Sequence, residues 1–242
     1  MKLRLDEILL LRNYAQDREK ARALIGAGEV YVNETRIDKA GYLCDPAALI
    51  RLKEHCRYVS RGGLKLEKGL QFFKIEPTGK VCLDVGASTG GFTDCLLKHG
   101  AQKVYAVDVA YGQLDWKVRQ NPAVVVLERY NARQLKPDLF SEAIDFAVMD
   151  ASFISITKLI PPLIPLFQKD VFALLALIKP QFELPRHKVG KGGVIRDSEL
   201  HEEAIRGVTE FAHTLGLRSQ GTVVSPILGP KGNKEFLIHL VS

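Results

Sequence analysis

The clearest change of pattern along the chain lies at residues 81–99. An unbroken apolar run, Val81 to Val85, gives way to the turn Gly86-Ala87-Ser88-Thr89-Gly90-Gly91 and then to a helical pattern from Phe92 to His99. Further apolar runs of strand length follow at Lys103–Val107, Val124–Leu127, Ile144–Met149 and Val171–Ile178, and the last of these is apolar throughout, as a strand buried on both faces would be. Thr157–Phe167 contains Pro161, Pro162 and Pro165, so any helix there is short or kinked. Asp197-Ser198 caps a long helix, Glu199–Leu215, and Leu217–Val224 with Glu235–Val241 reads as a closing hairpin. Strands alternating with helices predict an α/β domain with helices on both faces of a mostly parallel sheet.

The first sixty residues are patterned differently. Apolar positions 5, 8, 9 and 11 form a helical stripe, and Asp17 is a good N-cap for a second helix, Arg18–Ala27, closed by Gly26 and Gly28. Glu29–Asn33 alternates as a strand, turns at Asn33-Glu34 and returns through Arg36-Ile37, with a further short strand at Leu49–Leu52. Arg57–Gly63 has the glycines and polar bias of a linker, and Leu64–Phe73 reads as an amphipathic helix with Leu66, Leu70 and Phe73 inward. The expected organisation is a small α+β domain at 1–56, a linker at 57–63 and an α/β domain at 64–242.

Composition narrows the picture modestly. The formal charge is +6, and residues 1–62 hold 12 Lys/Arg against 9 Asp/Glu, a mild hint of an anionic partner. Four cysteines without a C-x-x-C pair read as reduced thiols, and no metal site is expected. With no signal-peptide pattern and no apolar run long enough to span a bilayer, the expectation is a cytoplasmic protein without membrane attachment, a monomer being favoured.

Candidate chemistry centres on the glycine turn. It reads D-x-G-x-x-x-G-G and not the dinucleotide pattern G-x-G-x-x-G, and an acid at Asp84 would sit poorly beside a pyrophosphate. It would suit a ligand carrying an ammonium and a sulfonium, as S-adenosylmethionine does. Asp108, about twenty residues on at the end of the next strand, can accept ribose hydroxyls. Asn131 is placed for the adenine edge, and Asp150 follows a strand directly. Ligands of open α/β sheets sit at the carboxyl ends of strands, so Asp84, Asp108, Asn131 and Asp150 are expected to converge. Gly190-Lys191-Gly192-Gly193 lacks the strand that a nucleotide-binding P-loop requires, which argues against ATP. Methyl transfer to a ribose hydroxyl needs alignment and help with a proton, for which the chain offers Lys65, Asp150, Lys179 and Glu235. By spacing alone Lys65 reads as a solvent-facing charge; Lys179, following an apolar strand, is the expected base or orienting group, with Asp150 and Glu235 fixing lysine geometry.

Two resemblances extend this reading. R-L-D-x-x-L followed by D-R-x-x-A-x-x-L-I-x-x-G-x-V-x-V-N resembles the small RNA-binding module first described in ribosomal protein S four, departing from it at Asp17 and Ala40. Asp17 can still cap its helix, so that fold is expected to stand. The set Lys65, Asp150, Lys179, Glu235, with Asp84–Phe92 between, resembles the tetrad of FtsJ-like ribose 2′-O-methyltransferases, and the whole chain resembles the TlyA family. That resemblance implies a Rossmann-like class I methyltransferase fold and S-adenosylmethionine-dependent methylation of cytidine 2′-hydroxyls in ribosomal RNA, with ribosomal RNA or subunits as partner. The short C-terminus is closer to members acting on large-subunit RNA only. The implied donor-binding residues are Asp84, Gly86, Ala87, Ser88, Gly90, Gly91, Phe92, Asp108, Val109, Asn131 and Asp150. Those for RNA are Arg4, Arg18, Arg22, Arg36, Arg61, Lys188 and Lys191. The alternatives are a non-catalytic RNA-binding factor and a haemolysin, the latter without a pore-forming helix to support it.

Overall fold

The computed structural model describes residues 2–53, 56–168, 171–190 and 192–242. The chain divides into two compact units, residues 1–55 and 56–242.

In the smaller unit β1 (Leu3–Arg4) runs into α1 (Leu5–Leu11), followed by α2 (Arg18–Gly26), β2 (Val30–Val32), β3 (Thr35–Ile37), β4 (Leu43–Cys44) and β5 (Ile50–Leu52). β2 pairs antiparallel with β3 and β5, and β1 with β4. Leu5, Ile8 and Leu9 of the stripe join Ala21, Ile25, Val30, Val32 and Ile50 in one core, whereas Leu11, at the last position of α1, is exposed. Asp17 caps α2 by accepting from the Lys20 N–H at 2.7 Å. Asn33 and Glu34 both have positive φ, which is what a two-residue hairpin loop between right-twisted strands requires.

The larger unit contains α3 (Gly62–Phe73), β6 (Val81–Val85), α4 (Gly91–Lys98), β7 (Lys103–Val107), α5 (Trp116–Arg119), β8 (Val124–Leu127), β9 (Phe146–Met149), β10 (Ala173–Ile178), α6 (Pro180–Glu183), α7 (Ser198–Thr214), β11 (Arg218–Val224) and β12 (Phe236–Val241). The seven strands form one sheet in the order β11-β12-β10-β9-β6-β7-β8. The run β10 to β8 is parallel; β12 is antiparallel to both of its neighbours. Leu66 and Leu70 of α3 with Phe92, Cys95 and Leu96 of α4 cover one face. Ala204, Val208 and Ala212 of α7 with Ile160, Leu163 and Leu166 cover the other. Each fully buried leucine of this kind contributes about 1.5–3 kcal/mol. The proline-rich stretch forms short 3₁₀ turns, Ile156–Lys158 and Pro161–Leu166, because the prolines remove the N–H groups that an α-helix would pair.

The segment 57–63 packs as part of the larger unit and is not a free spacer. The Arg57 guanidinium and the Tyr58 hydroxyl both donate to Glu67, and the Val59 N–H donates to Asp94. α3 starts at Gly62, two residues earlier than the pattern predicts. Gly63 lacks a side chain because the Tyr58 ring lies there: a Cβ would come within 2.2 Å of Tyr58 Cγ. These glycines serve close approach, which a sequence cannot distinguish from turn formation.

Candidate active site

β6 has β7 on one side and β9 on the other, so its carboxyl end is where the strand order reverses and a crevice opens. The glycine turn leaves β6 there, with the Gly86 and Ala87 N–H groups donating to the Val107 carbonyl. Gly86 has φ +82°, and a Cβ on it would come within 2.8 Å of the Asp150 carbonyl oxygen; only glycine lets the turn lie against the end of β9.

Two cavities open on this edge. One, of about 480 Å³, is lined by Gly86, Ser88, Asp108, Val109, Asn131 and Asp150 among others. The second, of about 550 Å³, includes Arg61, Lys65, Ala87, Gly91, Phe92 and Lys179 in its lining. Gly86, Ser88, Asp150 and Ser152 line both and form the wall between them. Asp108 accepts from the Ser88 N–H at 2.7 Å and the Ala110 N–H at 2.8 Å, which fixes its carboxylate at the mouth of the first cavity.

Topology brings the two lysines and two acids together. Asp150 follows β9 and Lys179 follows β10 at the same edge; β12 is antiparallel, so its beginning lies there too, with Phe236 opposite Ile178 and Glu235 just before it. Lys65, on the first turn of α3, reaches down from above. Lys65 Nζ is 2.6 Å from Glu235 and 3.9 Å from Asp150, and Lys179 Nζ is 2.5 Å from Asp150. Lys65 is 7% exposed, Lys179 5% and Glu235 0%, so the solvent-facing reading of Lys65 fails. Charges alternate as Glu–Lys–Asp–Lys, so each buried ion has an opposite neighbour, the condition for keeping charges out of water. Glu235 lines neither cavity and is paired with Lys65. Gly229 packs against it, since a Cβ there would come within 1.9 Å of Glu235 Oε1.

Asp84 departs from expectation. It is fully buried and lines neither cavity. Strand parity explains this: Leu83 and Val85 face the α7 side, so Asp84 shares the α3–α4 side with Cys82 and accepts from the Thr93 hydroxyl of α4 at 2.6 Å. Burial, reinforced by the Asp150 and Asp108 carboxylates, pushes its carboxyl up to about 7, against the Thr93 hydrogen bond that lowers it. A carboxyl raised on folding holds its proton in the native state after the unfolded chain has lost it, so its contribution to stability falls as pH rises from the ordinary carboxylate range to about 7. Asp84→Asn is therefore expected to raise the melting temperature, and by more at pH 8 than at pH 5; an equal gain at both would contradict this titration. Gly90 also lines neither cavity. Its φ of +90° and the Leu114 side chain, 2.8 Å from where a Cβ would be, make it a conformational requirement of the turn.

In the smaller unit, Arg4, Arg18 and Arg22 gather around the buried Asp6: Arg4 donates at 2.9 and 3.0 Å and Arg22 at 3.2 Å, and Arg18 lies at 3.8 Å. The hydrogen bond from Arg4 holds the Asp6 carboxyl well down, at about 2. Asp6 thus hydrogen-bonds two partly exposed guanidiniums, and the third, Arg18, donates to Glu7 at 2.6 Å. The Arg36 side chain lies over the backbone of Gly28, where a Cβ would meet it. In the larger unit, Lys188 is paired with both oxygens of Glu203 at 2.7 Å on α7 and lines neither cavity at the crevice. Lys191 lies outside the described residues. Ser152 has a place at this site that sequence reading missed; its position two residues after Asp150 was the available signal.

Among the described residues no helix is long and apolar enough to cross a membrane, and no group of three or more His, Cys, Asp or Glu could hold a metal ion. The four cysteines are free, and burial pushes the Cys82 and Cys95 thiols up to about 12.

Comparison with known proteins divides the chain in a similar place. Residues 58–242 match the FtsJ-like methyltransferase family and residues 3–50 match the S4 domain. The chain is 46% identical to the candidate rRNA methyltransferase YqxC of Bacillus subtilis, over 99% of this chain and 85% of that protein. It is 43% identical to the 16S/23S rRNA (cytidine-2′-O)-methyltransferase TlyA of Mycobacterium tuberculosis, over 98% and 89%. A solved structure from Streptococcus thermophilus, described as a candidate hemolysin, superposes with a TM-score of 0.76 at 43% identity, covering 99% of this chain and 88% of that one.

Proposed function

Because the chain belongs to the FtsJ-like methyltransferase family, in the TlyA group that carries an S4 domain in front, we propose that it transfers a methyl group from S-adenosylmethionine to the 2′-hydroxyl of a cytidine in ribosomal RNA. Large-subunit RNA is the first target and small-subunit RNA the second to test. The observation that carries the reading is the linked set Glu235–Lys65–Asp150–Lys179 beside the wall that two cavities share.

The residues of the first cavity fit the donor. Asp108 can accept vicinal hydroxyls, Val109 and Ala132 offer apolar surface to a purine, and Asn131 offers polar atoms to its edge. When bound, the donor supplies an electrophilic methyl group on sulfur, open to in-line displacement. The chain's task is alignment, exclusion of water and care of one proton. Lys179 orients the acceptor oxygen in the second cavity; as a neutral amine giving its two N–H groups to Asp150 and Ser152, it takes up the hydroxyl proton on its lone pair as the O–C bond forms and the methyl–sulfur bond breaks. Asp150 holds that amine at 2.5 Å; Lys65, anchored by Glu235, holds Asp150 from the other side. Arg4, Arg18, Arg22 and Arg36 contact RNA phosphates, which position the substrate without reading its sequence, and Arg61 does so at the second cavity.

Primer extension across ribosomal RNA at limiting nucleotide concentration, in strains with and without the gene, tests the reading, because ribose methyl groups make the polymerase stop. A gene-dependent stop at a cytidine is expected; identical stops in both strains would sink it. For the donor site, Asp108→Ala should weaken S-adenosylmethionine binding about 10- to 100-fold, the cost of losing hydrogen bonds to a charged acceptor. Added donor would then raise the melting temperature of the parent far more than that of the variant. Equal shifts would remove Asp108 from the donor site.

A further inference from the structure

Lys179 is held differently from Lys65. Lys65 lies between two carboxylates, Glu235 at 2.6 Å and Asp150 at 3.9 Å. Lys179 has one carboxylate, Asp150 at 2.5 Å, and one neutral partner, the Ser152 hydroxyl, whose oxygen accepts from Nζ at 2.8 Å. A lysine amine in the form that can take up a proton has two N–H donors and one lone pair that turn together about its last bond, and two fixed acceptors leave the lone pair one direction. A second carboxylate would fix that direction equally well but would add a charge beside an amine that has to take up a proton. A hydroxyl supplies direction alone.

Two further observations bear on Ser152. Its side chain lines both cavities, at the boundary where a donor methyl and an acceptor oxygen would meet. The turn that carries it is strained: the next residue, Phe153, has φ +65° although it is not glycine, its ring 92% exposed and 5.3 Å from that of Phe182. Left-handed backbone at a bulky residue costs on the order of 1–3 kcal/mol and persists where surrounding structure holds it, commonly at functional sites.

Resting on the function proposed above, we propose that Ser152 is a positioning residue for methyl transfer: it pins the Lys179 amine so that its lone pair faces the acceptor hydroxyl. The Ser152 oxygen is the acceptor there, so Ser152 acts on the acceptor hydroxyl through Lys179.

The test compares parent, Ser152→Ala and Ser152→Thr in single-turnover and steady-state methyl transfer to ribosomal RNA from a radiolabelled donor, with melting temperatures measured with and without donor. Ser152→Ala is expected to lower kcat about 10- to 100-fold, the usual cost of a hydrogen bond to a charged group. KM for RNA and the donor-induced rise in melting temperature should stay within about twofold of the parent, as expected of a residue that acts through another. Ser152→Thr, which restores a hydroxyl, should recover kcat to within about threefold of the parent. An alanine variant with parental kcat would overturn the proposal. So would a threonine variant no better than alanine at unchanged melting temperature, or a loss in donor stabilisation matching the loss in kcat. If the parent itself transfers no methyl group to ribosomal RNA, the function reading fails first and this inference with it; the parent measurement separates the two failures.

Discussion

Lys179→Ala leaves a folded protein that binds donor normally and transfers methyl groups at least about 10³-fold more slowly than the parent. The magnitude follows from the role: a positioned proton acceptor contributes about 10²–10⁴-fold, and alanine also removes the group that holds the acceptor oxygen in line. Stability should fall, though by less than in the Lys65 variant below. Asp150 keeps Lys65 at 3.9 Å from Oδ2, but its buried Oδ1 loses its 2.5 Å partner, so a cost of about 1–3 kcal/mol is expected. Lys179→Arg separates two versions of the role. Guanidinium can orient an oxygen but cannot accept a proton near neutral pH, so an arginine variant as slow as alanine points to proton transfer, and partial activity points to orientation. Single-turnover transfer with donor binding measured alongside is the check. An alanine variant within about tenfold of the parent would remove Lys179 from the chemistry.

Lys65→Ala should act on the fold as strongly as on the rate. Glu235 is fully buried, its only ion-pair partner among the described residues is Lys65, and its Oε1 has no hydrogen-bond donor. Gly229 packs against the carboxylate and closes one way out to solvent. Breaking a buried pair from one side leaves an uncompensated charge, at a cost of about 3–5 kcal/mol. For a unit of this size that lowers the melting temperature by about 6–15 °C. The double variant Lys65→Met, Glu235→Gln removes both charges and should recover most of the lost stability, while methyl transfer stays impaired because Asp150 has lost its second cation. Chemical denaturation of the three proteins provides the comparison. If Lys65→Ala were within about 1 kcal/mol of the parent, the buried pair would be contributing far less than its geometry implies.

Where a signal is local, it can be read from the letters. Asp17 and Asp197 cap their helices, and β7 and β8 begin and end at the residues the apolar runs predict, because caps and strand periodicity act over four or five residues. The two-residue ladder of β1 with β4 is too short to make a periodic pattern in the sequence. That Arg57–Gly63 packs on α3 and α4 is not legible in the letters, because a glycine beside an aromatic ring and a glycine in a turn look the same in one dimension.

Residue order alone was enough to establish a parallel-sheet domain with a glycine turn after its first strand, a separate small unit before it, and which charged residues deserved scrutiny. Which of those residues share a site was decided in three dimensions. Asp84 belongs by spacing to the ligand but by strand parity to the buried face of α4, whereas Lys65, an ordinary helix charge by spacing, is buried against Glu235, 170 positions further along the chain. The reason is that local preferences depend on near neighbours, while the partner of a buried charge depends on how strands are ordered in the sheet. Here the antiparallel β12 turns the start of one strand toward the ends of the others.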